Sequence, residues 1–178
     1  METKSPSIGK QALKYGAIIA VVLILISIFT HVTNLTGNSM LGWLENLVII
    51  AGLFWAMKVF RDTHVGGYME FGQGVSFGTL ASLFGGSLTS LYSFIFLKYV
   101  DPSVLVELKE VALENFLQGG YSEAELEMMD SIIQFVYTPG VMLIGGILGA
   151  VLGGVIISLI LAAILKKPKP LFEEATQE

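Results

Sequence analysis

Four stretches of the chain are apolar on every side rather than along one face: roughly 12–30, 41–60, 72–97 and 140–165. Each is long enough to supply the about 20 helical residues that cross a hydrocarbon core. The last two exceed that length, which predicts tilt or protrusion. Between the third and fourth stretches the pattern changes. Asp101-Pro102 reads as an N-cap followed by proline in the first turn. Glu107, Glu110 and Glu114 then recur at helical spacing opposite Leu105, Leu108, Ala112 and Phe116. Gln118-Gly119-Gly120 stops that helix, and Ser122 with Glu125 forms a capping box for a second, in which Glu123, Glu127 and Asp130 oppose Leu126, Met129 and Ile133. Tyr137-Thr138-Pro139-Gly140 marks the return to apolar sequence. The predicted fold is an all-α membrane protein: a single membrane domain of four transmembrane helices, with an amphipathic helical hairpin over roughly 101–137 inserted between the third and fourth and a tail over 166–178.

Charge orients these elements. Lys4, Lys10, Lys14, Lys58, Arg61, Lys166, Lys167 and Lys169, eight of the ten basic residues, fall on one side of the predicted spans. The positive-inside bias predicts cytoplasmic N- and C-termini and an extracytoplasmic hairpin, with Trp43 and Tyr99 at the outer interface and Trp55 near the inner one. The first span also resembles a signal peptide over Gly16 to Phe29, but no small-x-small cleavage site follows, so an uncleaved span is expected. From Lys98 to Gln134 the chain carries eight acidic residues against Lys98 and Lys109. Anionic headgroups would repel such a segment, so its apolar faces are expected to pack on each other, on the span ends or on a partner protein.

Composition narrows the chemistry. Only 14% of the 178 residues are charged, against about 25% in a soluble domain, and mean hydropathy is +0.72. The absence of cysteine removes disulfides, thiolate nucleophiles and sulfur metal sites. His31 and His64 are isolated, so no metal or cofactor is expected. No basic aromatic surface speaks for nucleic acid, and Lys166-Lys167-Pro168-Lys169 reads as a stop-transfer anchor on anionic headgroups.

One short motif points elsewhere at first sight. Gly74-Val75-Ser76-Phe77-Gly78 matches the G-x-S-x-G turn of a hydrolase, which needs a strand before the serine, a helix after it and a later histidine. Both histidines precede Ser76, and the motif lies inside a predicted span. The alternative is packing. Gly74, Gly78, Ser82, Gly86 and Ser90 are spaced by four, as are Gly146, Ala150, Gly154, Ser158 and Ala162. Helices in lipid gain little from hiding apolar side chains and associate through close backbone contact, which such ridges permit. The third and fourth spans are therefore expected to meet, with Gly85-Gly86 against Gly153-Gly154; a ridge facing a second copy stays open as the rival arrangement. Glu45 is the one acid within a span and the candidate ionisable site, about one turn from the outer end with Asn46 beside it.

The stretches KVFRDTHVGGYMEFGQGVSFG, YVDP and GGVIISLILAAILKK, with the acidic insert and its GG turn, resemble a bacterial membrane family known as domain of unknown function 4199. The resemblance covers nearly the whole chain and implies a four-span bacterial inner-membrane protein, with no activity or catalytic residue to carry over. The expected function is that of a non-enzymatic membrane component that contacts the lipid bilayer and packs with itself or a membrane protein partner through the hairpin. A subunit of a small oligomeric transporter or channel, with Glu45 as a proton or cation site, is the alternative. No small-molecule substrate is indicated.

Overall fold

The apolar stretches are helices in the computed structural model, which describes residues 7–33, 35, 39–117 and 123–169. α1 spans Ile8–Val32, with the Ser7 hydroxyl accepting from the Lys10 backbone N–H at its start. α2 spans Ser39–Val59 and continues through a π-helical turn, Phe60–His64. α3 spans Phe71–Ile95 and likewise ends in a π-helical turn, Phe96–Val100. α4 (Ser103–Leu117) and α5 (Glu123–Val136) follow, and α6 runs from Pro139 to Leu165. Each span is longer than its apolar stretch because flanking polar residues prolong the helix past the hydrophobic segment. Gly66 and Gly67 turn the chain between α2 and α3 with φ of 67° and 83°, left-handed values that a side chain would strain.

α3 is the centre of the bundle. It packs against α1 on one flank and α6 on the other. Tyr15 meets Phe77 with ring centroids 6.1 Å apart, and His31 meets Phe96 at 4.8 Å, so α1 and α3 run in the same direction. α6 returns antiparallel. Its Leu148, Leu152, Ile156, Ile160 and Ile164 form an outward row, each more than half exposed, which is the surface a lipid-facing helix presents.

The core lies at the end of the bundle that carries Lys10, Lys14, Lys58, Arg61 and Lys167, the basic end. Leu53, Met57, Phe60, Met69, Phe77 and Ser158 are fully buried there, and Phe60 stacks on Phe77 at 4.4 Å with 15° between planes. Met69 and Lys167 exchange two backbone hydrogen bonds of 2.9 Å. The Arg61 guanidinium donates to the Leu165 carbonyl at 3.4 Å, satisfying an orphan acceptor at the C-terminus of α6. Towards the other end α2 parts from its neighbours. A β-carbon on Gly52 would lie 3.0 Å from Cγ1 of Ile19, but from Met40 to Gly52 no α2 residue is buried.

At that acidic end Asp101 starts α4: one carboxylate oxygen accepts the Ser103 backbone N–H at 3.0 Å and the Ser103 hydroxyl. Its other oxygen lies 3.4 Å from Nε2 of His31 on α1. Lys109 Nζ donates to Gln134 Oε1 at 2.7 Å, linking α4 with α5. The predicted Gln118-Gly119-Gly120 stop and the Ser122 cap lie outside the described residues. Thr138 returns its hydroxyl to the Gln134 carbonyl at 3.2 Å, and Pro139 opens α6 at a position where its missing N–H costs nothing.

The Ser103 hydroxyl, then its backbone N–H and the nearby His31, hold the Asp101 carboxyl below the usual carboxylate range, against an opposing contribution from desolvation. A depressed folded-state pKa stabilises the fold above the unfolded value of about 3.9, and that stability disappears as pH falls through the lower folded value. The thermal midpoint is therefore expected to drop as the pH is lowered below about 4, with a shallower drop in Asp101→Asn. Identical acid limbs in circular-dichroism melts of the two proteins would remove Asp101 from the account.

Candidate functional site

Ser76 sits within the helical turns of α3 on an exposed flank, with helix before it as well as after it. Its neighbours in the motif turn the other way. Gly74 and Gly78 are buried against α6, where a β-carbon on Gly74 would come within 2.9 Å of Cβ of Ala162. His64 completes the π-helical turn, and its Nε2 is 3.4 Å from the Tyr15 hydroxyl. Among the described residues no three His, Asp or Glu side chains gather as a metal site would require.

The two ridges run along the α3–α6 contact. Gly74 lies against Ala162, Gly78 against Ser158, Ser82 against Gly154, Gly86 against Ala150 and Ser90 against Gly146. A β-carbon on Gly78 would fall 2.8 Å from Cβ of Ser158, and one on Gly146 would fall 2.5 Å from Oγ of Ser90. The register differs by one turn from the expected meeting of Gly86 with Gly154. Gly85 points to a different helix altogether, with a β-carbon there 2.9 Å from the Gly16 carbonyl oxygen of α1, and Gly153 has nothing within 4 Å. Adjacent positions of α3, Gly85 and Gly86, thus serve two neighbours at once, and the packing of α1, α3 and α6 together sets the register.

Gly16 is the contact that pattern reading missed. A β-carbon there would run into the Ala81 carbonyl oxygen and lie 3.1 Å from the Gly85 backbone nitrogen. Ala12, Gly16 and Ala20 are buried and spaced by four, so α1 carries a third small-residue ridge, shorter than the other two.

Where α2 parts from the bundle, three cavities adjoin. The first, about 340 Å³, lies between α1, α2, α3 and α6, with Leu23, Ile49, Ile157, Gly149 and Gly153 on its wall. Leu23, Ile49 and Thr89 are shared with a second of about 230 Å³, and Ser27, Glu45, Tyr92 and Ser93 connect that one to a third of about 280 Å³ that ends at His31 and Val104. Glu45 is thus half-buried on the wall of two cavities. The hydroxyls of Ser82 and Tyr92 are buried beside them without a hydrogen-bond partner among the described residues. Thr89 donates back to the Gly85 and Gly86 carbonyls at 3.2 and 3.1 Å, and Asn46 to the Gly42 carbonyl at 2.8 Å, so the Thr89 hydroxyl proton and one of the two Asn46 N–H groups are already occupied.

These features define a class. The chain is all-helical, 89% helix among the described residues and without a strand there, and four of its helices are long and apolar enough to cross a membrane. Residues 14–167 match the model of the family described as Protein of unknown function (DUF4199), and the protein belongs to that family. No curated protein and no solved structure matches the chain.

Proposed function

We propose that the protein is a non-enzymatic component of the bacterial inner membrane, with both termini cytoplasmic, and that α4 and α5 form an extracytoplasmic acidic hairpin that recognises a membrane protein partner. The orientation is supported by the clustering of basic residues at one end of the bundle. The recognition role rests on α5. Met128, Ile132 and Phe135 lie on one face of that helix and are 55%, 48% and 67% exposed, bordered by the acidic Glu125 and Glu127. An apolar row at helical spacing with a charged border is how an amphipathic helix presents anchors to a groove.

Co-purification from native membrane, with and without residues 103–134, tests this reading. A partner captured by the full chain and lost on deletion is the expected result. Equal capture by both chains, or none by the full chain, would overturn it. A transporter subunit is the second reading, favoured by the place of Glu45 beside two cavities; cation or proton flux through reconstituted vesicles that disappears in Glu45→Gln would put it first.

A further inference from the structure

We propose that the cleft between α2 and α6 binds one phospholipid with an ammonium headgroup, its acyl chain along Gly149 and Gly153 and its headgroup between Glu45 and Tyr92. This rests on the membrane location proposed above but not on the partner role, which the deletion of α4 and α5 tests independently.

The shape is that of an amphiphile. The inner cavity lies beside the Gly85–Gly86 stretch of α3, is walled mainly by aliphatic side chains and glycine backbone, and has about the volume of a small-ligand pocket, roughly 300–1,000 Å³ in general. Asn46, Gly146 and Gly149 on its rim are exposed, so it opens through the flank of the bundle, where lipid chains would lie. The two outer cavities continue from it towards the acidic end and add the polar side chains of Ser27, Glu45, Tyr92 and Ser93 to a largely apolar lining. A lipid entering from that side has its headgroup and tail in the matching order.

The unpartnered groups then select the headgroup. The Glu45 carboxyl is an acceptor that no cation among the described residues engages. The Tyr92 O–H is a buried donor without an acceptor among the described residues. An ammonium supplies the first with a charge-assisted hydrogen bond, and a phosphate or ester oxygen of the same molecule supplies the second. Asp101, 3.4 Å from the cavity-lining His31, adds negative charge near the mouth, which disfavours a headgroup with net negative charge. The glycines fit as well. Gly149 and Gly153 line the cleft, and a β-carbon on either meets nothing within 4 Å. Each costs about 1 kcal/mol of helix propensity relative to alanine, and among the described residues no close neighbour on the β-carbon side requires it.

Native mass spectrometry of the full chain in detergent, titrated with dioleoyl phosphatidylethanolamine or dioleoyl phosphatidylglycerol, tests the site. One ethanolamine lipid per chain is expected, retained roughly tenfold better than the glycerol lipid, with that preference lost in Glu45→Gln. Gly149→Leu with Gly153→Leu fills the cleft and is expected to abolish retention of both lipids while leaving the thermal midpoint at or above that of the wild type. Equal retention of the two lipids, a preference unchanged in Glu45→Gln, or undiminished binding to the leucine variant would each overturn the proposal. A lipid-free dimer that the leucine variant dissociates would also overturn it, assigning the cleft to a second copy. If the leucine variant fails to fold, Glu45→Gln decides alone.

Discussion

Replacing Gly16 by leucine is expected to separate α1 from α3 and to lower stability by about 3 kcal/mol or more, the upper part of the range for overpacking. The obstruction at this position is backbone: the Ala81 carbonyl oxygen and carbon and the Gly85 nitrogen all stand where the side chain would begin. No rotamer change removes a carbonyl from a helix, so relief requires the two helices to move apart along their length. Gly154→Leu meets Ser82 instead, whose β-carbon and hydroxyl are in the way, and should loosen the α3–α6 contact by a comparable amount. Gly145→Ala is the control. It lies on the same helix with nothing within 4 Å of its β-carbon, and the gain in helix propensity should raise stability by up to about 1 kcal/mol. Thermal unfolding in one detergent, followed by circular dichroism, ranks the three. Gly16→Leu as stable as Gly145→Ala would refute close backbone contact as the basis of the bundle.

Phe77→Ala is expected to cost about 3–5 kcal/mol, the range for truncating a buried phenylalanine. Phe77 is wholly buried, stacks on Phe60 and meets Tyr15 edge-on. Through these rings α1, α3 and the end of α2 are joined at the basic end. The atoms lining the void would have no partners on that side, so the lost dispersion contacts are felt directly. Phe135→Ala, on the exposed face of α5, should leave the midpoint within about 0.5 kcal/mol of the wild type. Equal losses in the two variants would show that the aromatic cluster at the basic end does not hold the helices together.

The spans were legible because the apolar residues are continuous and lack competing breaks. Their ends were less so: Asp62 and His64 on one side, and Lys98 and Tyr99 on the other, lie beyond the apolar stretches 41–60 and 72–97, yet π-helical turns carry both helices through them. A π-turn leaves no mark in hydrophobic periodicity, since it is decided by what the extra residue can pack against. Phe60 on Phe77 and Phe96 on His31 are such contacts. The small ridges of α3 and α6 were visible as spacing by four, and the shorter ridge of α1 was visible in the same way once Ala12 and Ala20 are counted with Gly16. Glu45 stood out as the acid within a span. Tyr92, Gly149 and Gly153 did not, because a tyrosine or a glycine in an apolar helix carries no sign of whether a neighbour fills the space beside it.

By itself, then, the order of residues determined which segments are helical, which of them are long and apolar enough for a membrane, and which faces are slim. Those properties depend on composition and on neighbours three or four positions away, interactions that every helix contains within itself. Only the tertiary structure decided the register of α6 on α3, the choice of Gly85 for α1 and Gly86 for α6, and the parting of α2 that leaves Glu45 beside a cleft. Each of these depends on the relative rotation and tilt of helices that are remote in sequence. A ridge of small residues permits several such placements, and the choice among them falls to the packing of all four helices together.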